Sequence, residues 1–345
     1  MKTRVCKLHA RHDIRIDTEP VGEPGPGEVL IHMGAGGICG SDLHYYHDGG
    51  FGPVRVRQPI ILGHEIAGVV VKAGEGVSSL AAGDRVAINP SHPCGHCVYC
   101  DRGMYNHCLE MRFLGSAMRM PHEQGGFREY MVVAAEQCVA VEDHVSIGEA
   151  ACSEPLAVCV HAGKHAGRLN GAKVLVTGAG PIGALCAAVA AHSGASEVVV
   201  TDLQNATLAV AEKMGATRCV NVADEPEAMD AYAADKGYFD VAFECSAANP
   251  AIRTAISCVR AGGRIVQVGV AGDVTVPLNM IVGKEIEFVG THRFHEEFAE
   301  AVGLINSGAI NVKPIITGTY PFDDALAAFE AAGDRTRSVK VQLTF

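Results

Sequence analysis

Along the first 150 residues, short runs of β-favouring residues alternate with glycine and proline; Glu28–Met33, Gly68–Lys72 and Asp84–Ile88 are examples. Runs of this kind predict an irregular β-rich unit. The character changes near Ser153, where apolar runs at Lys173–Thr177, Glu197–Thr201, Arg218–Val222, Phe239–Glu244 and Arg264–Val268 alternate with segments of helical period. A sixth run, Glu285–Val289, follows them. Strands separated by helices predict an α/β unit built on a parallel sheet with crossover helices. Beyond about Gly290 the pattern predicts helices over Glu296–Asn306 and Phe322–Ala332 and a last strand over Val339–Phe345. These elements do not prolong the alternation, so the C-terminus is expected to rejoin the first unit. The division expected is residues 1–153 with 292–345 for a discontinuous catalytic unit, and 154–291 for the parallel-sheet unit.

A chain of 345 residues exceeds what one core usually organises, which fits two units with a cleft between them. The net charge of -11 and the lack of any Lys/Arg-rich run argue against nucleic acid as a partner. Val174–Ala191 carries no charge over a length that could span a membrane. Gly178, Gly180, Pro181 and Gly183 interrupt it, so a strand, a turn and a helix are expected there, and no membrane association. Residues 1–13 alternate charged and apolar positions without a secretory pattern, and a cytoplasmic location is expected. Four of the thirteen cysteines crowd between Cys94 and Cys108, which in that compartment reads as metal binding rather than as disulfides.

The segment Val174–Gly183 holds Gly-x-Gly-x-x-Gly directly after a predicted strand and at the start of a predicted helix. In that context the motif marks a dinucleotide site on a doubly wound, Rossmann-type sheet. Gly178 allows the tight turn, Gly180 admits a pyrophosphate close to the backbone, and Gly183 lets helix and strand approach. Pro181 and Ile182 lie in the same loop, and Val268 and Val270 follow the fifth strand as further cofactor contacts. Asp202 ends the second strand, where a carboxylate can accept bonds from ribose hydroxyls and would repel a 2′-phosphate. No arginine occurs from Leu203 to Lys213, so NAD is expected over NADP.

Cys94, Cys97, Cys100 and Cys108 supply four thiols, the complete shell of a structural zinc ion. A catalytic ion needs an open position, and Cys39 and the pair His64-Glu65 are the candidates for it. At these residues the chain resembles the zinc-containing medium-chain dehydrogenases, in their polyol (sorbitol) dehydrogenase branch. The resemblance runs from the first unit to the last strand, and is carried by Gly36–Tyr46, Ala87–Pro90, Met111–Phe113, Gly115–Met118, Lys236–Asp240 and Lys340–Leu343.

That resemblance implies a zinc-dependent, NAD(P)-linked oxidation of a secondary alcohol on a small polyol or sugar acid. It implies that Cys39 and His64 hold the catalytic zinc, with either Glu65 or Glu154 as the carboxylate and Cys152 as a buried thiol. Ser41 and His44 resemble the family's proton relay; a helix-capping serine and a surface histidine are the alternative. Tyr45 and Phe113 would wall the substrate pocket, and Arg112, Arg119 or Arg293 would clamp a substrate carboxylate. A homodimer or homotetramer is the assembly the family implies. Two other readings are a polyol or threonine dehydrogenase on the same scaffold, and a nucleotide-binding relative without catalysis.

Overall fold

The computed structural model describes residues 1–270 and 272–345. An N-terminal hairpin, β1 (Lys2–Ala10) and β2 (Asp13–Pro20), leads into β3 (Glu28–Gly37), the strand around which the first large sheet is built. That sheet also contains β4 (Glu65–Ala73), β5 (Arg85–Ile88), β6 (Tyr130–Ala134) and β7 (Cys138–Ala140). Helix α1 (Gly40–Asp48) follows β3 directly, and α2 (Ser153–Ala166) leads out of the sheet.

The second sheet is wholly parallel. It consists of β8 (Lys173–Thr177), β9 (Glu197–Asp202), β10 (Arg218–Asn221), β11 (Phe239–Glu244), β12 (Val259–Gln267) and β13 (Glu287–Gly290). Their order is β10-β9-β8-β11-β12-β13, and the direction of chain progression reverses at β8. Helices α3 (Pro181–His192), α4 (Asn205–Lys213) and α5 (Asn249–Cys258) make crossovers. Ligands of such sheets bind at the reversal, beyond the carboxyl ends of the strands. The uncharged stretch Val174–Ala191 is β8, central in this sheet, followed by the glycine turn and most of α3, with Val174–Thr177 and Gly183–Ala190 buried. Among the described residues no helix is long and apolar enough to cross a membrane.

The chain then forms α6 (Glu297–Asn306), β14 (Ile316–Pro321), α7 (Ala325–Gly333) and β15 (Lys340–Thr344). Strand β15 pairs antiparallel with β3, Gln342 facing Gly37, so the C-terminal strand lies inside the first sheet. Strand ends differ from the sequence expectation where local backbone decides them. Glu285 adopts φ 51 as the cap of the short helix Leu278–Lys284, which delays β13 to Glu287. The helix expected from Phe322 opens with a 3-10 turn and becomes regular only at Ala325.

Leu343 in β15 is fully buried, whereas Leu326 in α7 is 52% exposed. Leu343→Ala is expected to lower the unfolding free energy by roughly 2–5 kcal/mol in denaturant titrations. Leu326→Ala should change it by no more than about 0.5 kcal/mol.

Candidate active site and metal centres

The four sulfurs of Cys94, Cys97, Cys100 and Cys108 lie within 4.8 Å of one another. Two short 3-10 turns, Cys100–Arg102 and Tyr105–His107, wrap the loop around them, and Gly95 and Gly103 take the positive φ angles the wrapping needs. Backbone amides point at the sulfurs: Cys94 N donates to Cys108 Sγ at 3.2 Å, Glu110 N to Cys108 Sγ at 3.3 Å, and Leu109 N to Cys97 Sγ at 3.5 Å. Amides of Cys100 and Leu109 bring the Cys97 thiol down to about 6. Four thiols gathered under N–H donors suit a tetrahedral zinc ion with no vacant position.

A second set combines Cys39, His64 and Glu65, whose ligand atoms also fall within 4.8 Å. Cys39 caps α1, and Glu65 opens β4 opposite Gly37 of β3. The missing side chain at Gly37 makes room for the Glu65 carboxylate, since a Cβ there would collide with Glu65 Oε2. His64 follows Gly63, which has φ +96 and packs under the Phe127 ring. Glu65 Oε2 is buried and has no hydrogen-bond partner. Burial opposes a charge on His64, yet Asp42, Cys39 and Glu154 outweigh it and hold its pKa well above the ordinary value. An orphaned carboxylate oxygen in a set short of positive charge fits a cation, and the donors match those of a catalytic zinc site.

Two residues that sequence reasoning missed support this set. Asp42 is fully buried in α1; Cys39 N donates to its Oδ2 at 3.0 Å and Gly63 N to its Oδ1 at 3.3 Å. It thereby joins the two chain segments that carry Cys39 and His64, and its position three residues after the cap was a legible signal. Lys340 of β15 donates to Glu65 Oε1 at 2.6 Å and to the Ile38 carbonyl at 3.2 Å, with both charged side chains 2% exposed. A lysine at the head of the final strand, Lys340–Thr344, was the only local clue.

Glu154, in the first turn of α2, lies outside the 4.8 Å set but faces it. Burial lifts its carboxyl to about 7, with His64 opposing and Glu65 adding. Cys152 is occupied elsewhere: Sγ is 3.5 Å from both the Gly148 carbonyl and Gln342 Nε2, and burial pushes the thiol up to about 12. Phe113 packs against His64 at 5.5 Å between ring centroids, and the Arg293 guanidinium lies 4.1 Å from the Phe113 centroid. Burial lowers the pKa of Arg293 while Glu154 and Tyr45 raise it, so this arginine faces the site. Tyr45 is buried, and its hydroxyl accepts from Ala117 N at 3.3 Å.

Arg112 and Arg119 are engaged away from this set. Arg112 is exposed and pairs with Glu123 at 2.7 Å, while Arg119 donates to the carbonyls of Met111 and Leu109, each at 2.8 Å. Both line an open cavity of about 550 Å³ together with Glu110, Met118, Pro121 and Glu123. Ser41 is half-buried in the first turn of α1, and His44 is exposed one turn later with Nδ1 3.0 Å from Asp48 Oδ2.

At the sheet reversal, Gly178 has φ +88 with Ser246 against it, and a Cβ on Gly183 would strike the Gly178 carbonyl. The loop between them is a cradle that side chains would fill, and it fits a dinucleotide pyrophosphate at the amino end of α3. Pro181 and Ile182 start that helix. Asp202 Oδ2 accepts from Ala179 N at 2.6 Å and Oδ1 from Leu203 N at 2.7 Å, which anchors the carboxylate beside the loop. Val268 is half-buried and Val270 is 69% exposed past the end of β12. Arg335, which sequence reasoning also missed, has Nη1 3.3 Å from where a Cβ of Gly180 would stand, so a cation overlooks the cradle.

Removing the positive partner of a buried pair leaves an uncompensated charge. Lys340→Met is therefore expected to cost roughly 3–5 kcal/mol of unfolding free energy in metal-depleted protein, compared with wild type under the same conditions. Lys340→Arg should recover part of it.

Two family models match the chain, an alcohol dehydrogenase GroES-like domain over residues 25–143 and a zinc-binding dehydrogenase over residues 181–307. L-idonate 5-dehydrogenase (NAD(P)(+)) of Escherichia coli K12 is 41% identical over 346 residues, covering 100% of this chain and 99% of that one. Sorbitol dehydrogenase of Homo sapiens is 37% identical over 327 residues, 94% of this chain and 90% of that one. The crystal structure of the E. coli L-idonate 5-dehydrogenase gives a TM-score of 0.96 over 100% of this chain and 99% of that chain. A zinc-binding dehydrogenase from Sinorhizobium meliloti, bound to NADP, gives 0.90 at 29% identity over the whole of both chains. Zinc and NAD(P) are the cofactors these relatives imply, and with similarity running from end to end the chain belongs to the zinc-binding alcohol dehydrogenase family, in its polyol dehydrogenase branch.

Proposed function

We propose that the chain oxidises the C5 hydroxyl of L-idonate to give 5-keto-D-gluconate, reversibly, with NAD preferred over NADP. The observation that carries this substrate is Arg293, whose guanidinium rests on Phe113 beside His64 and faces Glu154. A planar cation at the edge of a secondary-alcohol site suits a sugar acid better than a neutral polyol. The full-length likeness to L-idonate 5-dehydrogenase supports the same substrate. Likeness to sorbitol dehydrogenase supports a neutral polyol as the second reading.

In this reading Cys39, His64 and Glu65 hold the catalytic zinc and Glu154 stands behind them; Cys94, Cys97, Cys100 and Cys108 hold the structural one. Zinc supplies the Lewis acidity that makes a secondary hydroxyl acidic near neutral pH, and NAD(P) supplies the hydride acceptor. Tyr45 and Phe113 wall the pocket, exclude water and orient the substrate carbon chain, while Arg293 binds its carboxylate. Ser41 Oγ takes the hydroxyl proton and His44, exposed one helical turn on, releases it to solvent. Gly178, Gly180, Pro181, Ile182 and Gly183 cradle the dinucleotide, Asp202 binds its ribose, and Val268 and Val270 border the nicotinamide side.

Two features support the expected organisation. The antiparallel pairing of β15 with β3 favours residues 1–153 and 292–345 as one unit, and the parallel sheet favours 154–291 as the other. Edge strand β13 and its neighbours leave Phe288 39%, Leu278 64% and Val282 70% exposed, which favours a homodimer or homotetramer joined through this sheet. Light scattering should then give two or four times the chain mass; a monomer at micromolar concentration would refute the assembly.

The deciding assay is NADH formation from idonate, sorbitol, xylitol and threonine with NAD and with NADP. Idonate with NAD should give the highest kcat/KM. Arg293→Ala should raise the KM for idonate by at least about 10-fold, the worth of one charged hydrogen-bonded contact, leaving sorbitol kinetics and zinc content unchanged. A better rate on sorbitol, or equal effects on both substrates, favours the polyol reading. Ser41→Ala should lower kcat by roughly 10²–10⁴. Full turnover from pH 6 to 9 in that variant would remove the relay.

A further inference from the structure

Helix α2 carries Glu154 at its active-site end and two histidines, His161 and His165, toward its other end, roughly 10–16 Å further along the axis. A spacing of four residues puts both imidazoles on one face of the helix. Their Nε2 atoms are 3.2 Å apart, while the ring centroids are 4.7 Å apart and the planes are inclined by 77°. The two nitrogens thus approach each other more closely than the rings that carry them. Two imidazole nitrogens bound at about 2.0–2.1 Å to one cation lie roughly 2.9 Å apart at a right angle and roughly 3.4 Å apart at the tetrahedral angle. The observed separation falls between those two values.

The surroundings favour ligation as well. Nδ1 of His161 is buried 3.2 Å from Glu297 Oε1. A cation on Nε2 would require the proton on Nδ1, where the Glu297 carboxylate can accept it, the usual way a carboxylate orients a metal-bound histidine. Glu297 is itself anchored by Lys164 Nζ at 3.0 Å and by the His295 amide at 2.9 Å. Partial burial and the neighbouring His161 keep His165 below the ordinary histidine pKa, so its ring nitrogen is free of a second proton at neutral pH. His165 is exposed and the site is open to solvent. Arg264 Nη1 donates to the His165 carbonyl at 2.9 Å and steadies the end of the helix.

We infer that His161 and His165 form a third metal site, distinct from the Cys39 and Cys94 centres, for a divalent cation of the nickel, copper or zinc type with water in its remaining positions. Imidazole ligands select such cations over magnesium and calcium, with copper and nickel ahead of cobalt. The competing structure is a neutral pair sharing one N–H···N hydrogen bond and binding nothing.

The test is isothermal titration of zinc-loaded enzyme with NiCl₂, wild type beside His165→Gln, with NADH formation and the melting curve of the variant as checks on its fold. Wild type should take up one more equivalent of nickel per chain than the variant. His165→Gln should weaken that uptake by at least about 10-fold without changing turnover. Superimposable isotherms, or no additional equivalent in wild type, would overturn the site and leave the two rings as a hydrogen-bonded pair. Titration with MgCl₂ should give no saturable difference between the two proteins; a difference of the nickel size would refute an imidazole-based site.

Discussion

The site depends on a carboxylate held where no water can reach it. Glu65 sits over the bare backbone of Gly37, with Lys340 on one oxygen and nothing on the other. A buried charge of this kind is tolerable only when its field is answered on both sides. Lys340 answers one side, and the second oxygen is left for a cation that Cys39 and His64 would share. Strand order serves the same contact: β15 pairs with β3, which brings Lys340 to Glu65 across that strand.

Around that charge, separate segments are tied by short polar contacts rather than by bulk packing. Asp42 bonds Cys39 N and Gly63 N, so α1 and the turn before β4 move as one piece. On the far side, α2, with Glu154 in its first turn, packs against α6 and the helix and strands of the parallel sheet. Glu154, Phe113 and Arg293 stand around the metal set, and the glycine cradle with Asp202 lies at the carboxyl end of the parallel sheet.

Negative charge is concentrated where it has work and is excluded where it would interfere. Asp202 is spent on the amides of Ala179, Leu203 and Gln204, which fixes its carboxylate beside the glycine loop. Positive charge is scarcer near the metal set: Arg112 and Arg119 are taken up by Glu123 and by backbone carbonyls, whereas Arg293 is stacked on Phe113, the ring that packs against His64. Sequence alone treated these three arginines as equivalent, because nothing in their local context distinguishes a guanidinium that solvates a loop from one that faces a pocket.

What the sequence determined by itself is local chemistry at short range. The glycine spacing after β8, the cysteine spacing from Cys94 to Cys108 and the β runs of the parallel sheet are legible because turn geometry, tetrahedral ligation and strand burial each act over a few residues. The tertiary structure alone decided which acid joins Cys39 and His64, because Glu65 and Glu154 are 89 residues apart in a chain that brings both to one place. It alone brought Lys340 to Glu65, since 275 residues separate them. Contacts of that range depend on which distant strands and helices come to lie side by side, and no local pattern encodes the distance between their side chains.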